Sequence, residues 1–140
     1  MKIKIINGPN LNMLGKRPKE HYGTKTLDEI NEMIKKEAEG CEVSFFQSNH
    51  EGDIIDEIQA SIGVWDAIVI NPGGYTHTSV AIRDALEIFP GKKVEVHLSK
   101  VNERDDFRKI NYITDVCDKT FMGMYEMSYI EAIKYLKNTK

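Results

Sequence analysis

The residues of this chain that could move protons or bind an anion are four histidines, a loop tyrosine and several arginines. Arg17 and Tyr22 are five residues apart in the flexible segment GPNLNMLGKRPKEHYGT, 8–24. A guanidinium close to a phenol favours the phenolate, which would make Tyr22 a base. Taken alone, the pair reads more simply as a packed tyrosine and a surface arginine. In NPGGYTHTS, 71–79, the proline and glycines let the backbone approach a ligand. The following helix N-terminus would offer free N–H groups to an anion. Thr78 or Ser79 could instead simply cap that helix, which leaves Asn71 and His77 without a role. In EVHLSKVNERDDFR, 95–108, His97 stands at a strand end, and Glu95 two residues earlier shares its face. Glu95 could orient the imidazole and make it a proton donor. Arg104 and Arg108 are four apart, on one face of an expected short helix, and suit a carboxylate. Paired with Asp105 and Asp106, they would be ordinary exposed surface.

Other chemistries find less support. The histidines lack metal-ligand spacing, and no glycine-rich phosphate-binding pattern is present. Trp65 and the aromatics Phe45 and Phe46 read most simply as core. Cys41 and Cys117 are isolated and read as free thiols in a reducing compartment.

The elements that must position these residues alternate. Strands are expected at 2–7, 42–47, 66–71 and 93–98, with a weaker one at 119–124. Helices are expected from about 27 to Gly40, then over 53–62, 79–88, 103–108 and 128–137. Thr26 and Glu29 form a capping box at the start of the first. The apolar run at 66–71 suits a central parallel strand buried on both faces. Segment 8–24 shows no periodicity and reads as a long functional loop. Alternation of this kind implies an α/β sandwich around a parallel sheet. Ligands then bind beyond the carboxyl ends of the strands, which singles out the loop after Asn7 and segments 48–52, 71–79 and 97–104.

Size and charge agree with one domain. The chain has 140 residues, 41% hydrophobic and 29% charged, with 19 basic and 22 acidic groups and a net charge of −3. That balance argues against nucleic-acid or anionic-membrane partners. No apolar run reaches the ~20 residues of a membrane span, and the N-terminus reads as a strand rather than a signal peptide. A cytoplasmic location is expected. The residues by themselves point to acid–base chemistry on a small hydroxylated carboxylate.

Several segments together resemble the type II dehydroquinases. They are NGPNLNMLG (7–15), Arg17 with Tyr22-Gly23, QSNHEG (47–52), INPGGYTHTS (70–79), Arg83-Asp84-Ala85, VEVHLS (94–99), and Arg104 with Phe107-Arg108. They run in order across most of the chain. The resemblance implies a flavodoxin-like, doubly wound sandwich with a central five-stranded parallel sheet, and one catalytic domain over 1–140 with 8–24 as a mobile lid. It implies dehydration of 3-dehydroquinate to 3-dehydroshikimate, in the shikimate pathway, by anti elimination through an enolate, with no metal, cofactor or Schiff base. Tyr22 would take the C2 proton, aided by Arg17, and Asn10 would hold a water on the enolate oxygen. His97, backed by Glu95, would protonate the leaving hydroxyl. Asn71, His77, Leu98, Ser99 and Arg108 would bind substrate, and Asp84 would reach a neighbouring subunit's site. The implied assembly is a homododecamer, a tetramer of trimers. The resemblance gives Arg104 no role. The chain departs from the family pattern at Pro18, Lys100, Asn102, Thr114-Asp115, Tyr125 and Ser128. Two alternatives on the same fold are an FMN-binding protein and a non-catalytic receiver-type module. The first lacks a Ser/Thr-rich loop after strand one, and the second lacks acidic residues there.

Overall fold

Runs of isoleucine and valine form the strands, because branched side chains pack well on a pleated, buried surface. A computed structural model of the chain describes residues 1–139. Lys140, the last residue of the expected domain, lies outside the described residues. The strands are β1 (Lys2–Asn7), β2 (Glu42–Gln47), β3 (Ala67–Asn71), β4 (Lys92–His97) and β5 (Lys119–Met122). Every pair is parallel, in the order β2-β1-β3-β4-β5. Ile5 sits between Phe45 and Val69, and Val94 between Val69 and Lys119. This is the flavodoxin-like order, with its switch point between β1 and β3. The expected strands match to within two residues at their ends.

The helices are α1 (Lys19–Tyr22), α2 (Leu27–Glu37), α3 (Glu51–Ser61), α4 (Val80–Ile88) and α5 (Met127–Asn138). The expected capping box starts α2. Thr26 Oγ1 accepts from the Glu29 N–H at 3.2 Å, and Glu29 Oε1 accepts from the Thr26 N–H at 2.9 Å. Alternate residues of a strand face opposite layers. Ile3, Ile5, Val69, Val94 and Val96 therefore pack under α2 and α5. Ile6, Ile68 and Ile70 pack under α3 and α4. Every residue of β3 is buried, as a central strand requires. The same alternation turns Glu95 and His97 of β4 away from the Val94–Val96 layer.

Four local expectations need correction. The second long helix begins at Glu51 rather than 53, with His50 at its N-cap. Segment 8–24 is not without structure: it holds a 3-10 turn at Leu11–Met13 and the single helical turn α1. The helix expected at 103–108 is two 3-10 turns, Val101–Glu103 and Asp106–Lys109. They are broken at Arg104, whose ψ of −121° lies outside helical space. Trp65 belongs to neither buried cluster. It lies half-buried beneath the Lys2 and Lys4 ammonium groups, 5.1 and 5.5 Å from its ring centre.

The loops that follow β1 and β3 interlock at the switch point. The Gly8 N–H donates to the Asn71 carbonyl at 2.8 Å. A Cβ on Gly8 would lie 2.6 Å from the Pro72 carbonyl oxygen, and one on Gly73 would lie 2.9 Å from that of Pro9. Gly73 also holds φ +61°, which glycine adopts without steric cost. Two backbones approach here more closely than side chains permit. Gly8→Ala should therefore lower stability by about 1–3 kcal/mol, the usual cost of overpacking, and a urea melt measures it. An unchanged midpoint would refute the interlock.

Candidate active site

The carboxyl ends of the strands carry a cleft lined by residues from every loop on that side except those after β2 and β5. On its loop side stand Leu11, Arg17 and Tyr22. The Arg17 guanidinium stacks on the Tyr22 ring, with its carbon 3.6 Å from the ring centre. The Tyr22 hydroxyl accepts a hydrogen bond from Arg104 Nη1 at 2.9 Å, and the same nitrogen reaches Ser99 Oγ at 3.2 Å. Tyr22 is thus held by two cations, one on its face and one on its oxygen. Burial pushes the Arg17 guanidinium below its ordinary proton affinity; Tyr22 opposes that shift, and repulsion from Arg104 and Arg108 adds to it. Three like charges facing one cleft favour an anion there.

On the sheet side stands His97. Its Nε2 lies 2.6 Å from Glu95 Oε2. Glu95 has no solvent exposure. Its carboxylate also accepts from Thr76 Oγ1 at 2.6 Å, Asn111 Nδ2 at 3.0 Å and Thr120 Oγ1 at 3.1 Å. Burial alone would raise its proton affinity. The hydrogen bond and charge of His97, with the bonds from Thr76 and Asn111, outweigh burial and hold it below the ordinary carboxylate range. An ionised carboxylate only accepts, so His97 Nε2 carries a hydrogen and Nδ1 is the nitrogen left for other partners. Asn111 is itself fixed, since its Oδ1 accepts from the N–H groups of Ile113 and Thr114 at 2.8 and 3.0 Å.

Polar groups complete the floor. His77 Nδ1 lies 2.7 Å from the Ile110 carbonyl, which makes that nitrogen a donor. Its Nε2 is buried without a protein partner. Burial is the largest influence on His77 and lowers its proton affinity, so a bare acceptor faces the cleft. Asn71 donates from Nδ2 to the Tyr129 hydroxyl at 2.9 Å and accepts from the Gly73 N–H at 3.1 Å. Tyr129 in turn donates to Asn7 Oδ1. Leu98, Ser99 and Arg108 also line the cleft, and Arg108 Nε holds Asp105 at 3.1 Å.

The structure brings together Arg17, Tyr22, Asn71, His77, His97, Leu98, Ser99 and Arg108, with Glu95 directly behind His97. Two expected residues lie outside that group. Asn10 is exposed at φ 70°, its N–H bonded to Asn49 Oδ1 at 3.0 Å. Asp84 is exposed on α4. Segment 48–52 braces the site without lining it, through Asn49 and through Glu51, which accepts from Ser79. Ser79 is a helix cap: its Oγ accepts from the Ile82 N–H at 2.9 Å. Arg104 and Arg108 do share the cleft, but from separate turns rather than one helix face. Sequence reasoning missed Asn111, Thr76, Thr120 and Tyr129. Only Tyr129 carried a usable signal, as a polar-tipped aromatic on the apolar stripe of α5. Among the described residues, no group of three or more His, Cys, Asp or Glu is placed to hold a metal ion.

Residues 1–137 match the family model described as dehydroquinase class II. A 3-dehydroquinate dehydratase of Clostridium beijerinckii is 50% identical over 143 aligned residues, covering 100% of this chain and 98% of the relative. One of Thermotoga neapolitana is 48% identical, covering 98% and 94%. The crystal structure of a type II dehydroquinase from Butyrivibrio crossotus superposes with a TM-score of 0.95 at 48% identity, covering 99% and 98%. These matches support neither the flavin-binding nor the receiver alternative.

The state of His77 is testable by pH. Its folded proton affinity is depressed, so below about 6.5, the ordinary value, the unfolded chain takes a proton that the folded chain resists. Its contribution to stability therefore falls as pH falls through that window. His77→Asn preserves a donor to Ile110 and does not titrate. Denaturation midpoints of the parent should drop relative to this variant between pH 7 and pH 5; parallel curves would show that His77 is not held neutral.

Proposed function

The chain belongs to the class II dehydroquinase family, and from that premise we propose how its cleft carries out the family's reaction, the dehydration of 3-dehydroquinate to 3-dehydroshikimate in the shikimate pathway. The observation that carries the proposal is the opposition, across one cleft, of a phenol flanked by guanidiniums and an imidazole backed by a carboxylate. Tyr22 sits under two guanidiniums, and His97 sits on a buried carboxylate.

Elimination begins with loss of a proton beside a ketone. Tyr22, as phenolate, takes the C2 proton, and Arg17 and Arg104 hold its charge. The enolate that forms carries charge on oxygen. Asn10 holds a water toward that oxygen once residues 8–24 close over bound substrate as a lid. The second half of the reaction expels hydroxide, which needs an acid. His97 delivers that proton from Nδ1, and Glu95 is the counter-charge of the imidazolium that donates it. The substrate carboxylate meets Arg108 in the field of the three guanidiniums. Hydroxyls donate to the bare Nε2 of His77, with Asn71, Leu98 and Ser99 completing the contacts. The reaction as derived uses no metal, cofactor or lysine imine.

Asp84 lies outside its own cleft and is exposed on α4. We propose that it completes the site of a neighbouring copy in a dodecamer of four trimers. Free, half-buried Cys41 and Cys117 fit a reducing cytoplasm. No helix among the described residues is long and apolar enough to cross a membrane.

Adding 3-dehydroquinate should produce the absorbance of a conjugated enone. Tyr22→Phe and His97→Ala should each lower kcat by about 10²–10⁴-fold with unchanged circular dichroism. A folded parent that leaves the substrate untouched would overturn the reaction; near-full kcat in Tyr22→Phe would overturn the base. Borohydride with substrate should not inactivate, since no imine forms. Sedimentation should show a twelve-chain assembly, and a monomer at working concentration would count against the shared role of Asp84.

A further inference from the structure

The turn that carries Tyr22 is poorly supported by its own sequence. α1 has four residues, no side-chain cap and no buried residue. An isolated helix that short does not hold itself together in water. Its geometry must come from contacts with other segments.

One such contact comes from the loop between β5 and α5. Tyr125 stands there at φ +52°, a conformation that costs energy for any residue with a large side chain. Its backbone is pinned on both sides. The N–H donates to the Leu98 carbonyl at 3.0 Å, and the carbonyl accepts from the Ser128 N–H at 3.1 Å. Ser128 is fully buried, and its hydroxyl accepts from the Met124 N–H at 3.2 Å. This bracket presents the phenol of Tyr125 to α1. The hydroxyl donates to the Glu20 carbonyl at 2.8 Å. The ring lies against Gly23, where an added Cβ would come within 3.2 Å of Tyr125 Cδ1. Gly23 itself holds φ +71°. The clamp therefore grips α1 on both sides of Tyr22. Because Leu98 lines the cleft, it also ties the turn to the sheet side of the site.

We propose that Tyr125 is a positioning residue, which clamps α1 through Glu20 and Gly23 and so fixes the Tyr22 hydroxyl over the cleft. It touches no reacting atom. Its kinetic consequence rests on the reaction proposed above, whereas its effect on the order of α1 does not.

Two variants test the clamp in the whole chain. Tyr125→Phe keeps the ring and loses the hydrogen bond to Glu20. Tyr125→Gly loses both, yet its backbone suits φ +52°, so the urea midpoint should not fall. Trypsin cleavage after Lys19, inside α1, reads opening of the turn. It should quicken about fivefold in Tyr125→Phe, the population change expected for one lost hydrogen bond, and more in Tyr125→Gly. For 3-dehydroquinate, kcat/KM should fall in the same order. Cleavage and kcat/KM within twofold of the parent in both variants would overturn the proposal. Faster cleavage with unchanged kcat/KM would also overturn it, since such a contact orders α1 without orienting Tyr22. A parent inactive on the substrate would instead sink the proposed reaction and leave the cleavage rates to decide the clamp.

Discussion

A carboxylate without solvent must be met by donors, and Glu95 organises one half of the site through that requirement. Its two oxygens collect partners from four places: Thr76 in the turn after β3, His97 on its own strand, Asn111 in the loop after Arg108, and Thr120 on β5. An uncompensated buried charge would cost several kcal/mol, so these segments are tied to one point. Asn111 is further locked by the N–H groups of Ile113 and Thr114. The adjoining strap bonds to the turn after β3 through Tyr112 to Thr76 at 2.8 Å and Ile110 to His77 at 2.7 Å. The imidazole of His97 is oriented as a consequence.

The other half of the site has no such anchor. Tyr22 comes from a short turn with no buried residue; it packs, partly buried, against the core beneath α2 and α5, and further contacts are made at its tip, its face and its flanks. Arg104, Arg17 and Tyr125 supply these from three different segments. The two halves therefore differ in kind. The His97 side is built into the sheet and its buried network. The Tyr22 side is a short turn held by contacts to the core beneath it and to side chains around it. The interlocked glycines at the switch point join the halves, because they fix the start of segment 8–24 to the end of β3.

Much of the candidate site was legible because the relevant signals are local. Strand alternation placed Glu95 and His97 on one face, and turn chemistry placed Asn71 and His77 above the sheet. Arg104 was visible as a charge, but its partner was not. Spacing paired it with Arg108 on a helix, and a single backbone torsion at Arg104 took it out of that helix and onto Tyr22. Trp65 read most simply as core, whereas two lysines from β1 cover its ring. Tyr125 and Ser128 stood out only as departures from a family pattern, and their joint bracket needs a positive φ that no pattern of residue types announces.

Residue order and type account for the alternation of strands and helices, the burial of β3, the cap of α2 and the side chains available for acid–base chemistry. Those properties follow from periodicity, branching and local hydrogen bonding, which act over a few residues. Packing of the folded chain sets which cation reaches the Tyr22 oxygen, which donors satisfy Glu95, and which side chains contact α1. Those contacts join residues far apart in the chain: 82 positions for Arg104 and Tyr22, and 105 for Tyr125 and Glu20. Their geometry depends on the packed register of the sheet and on a few unusual torsions, and neither is encoded in the spacing of residue types.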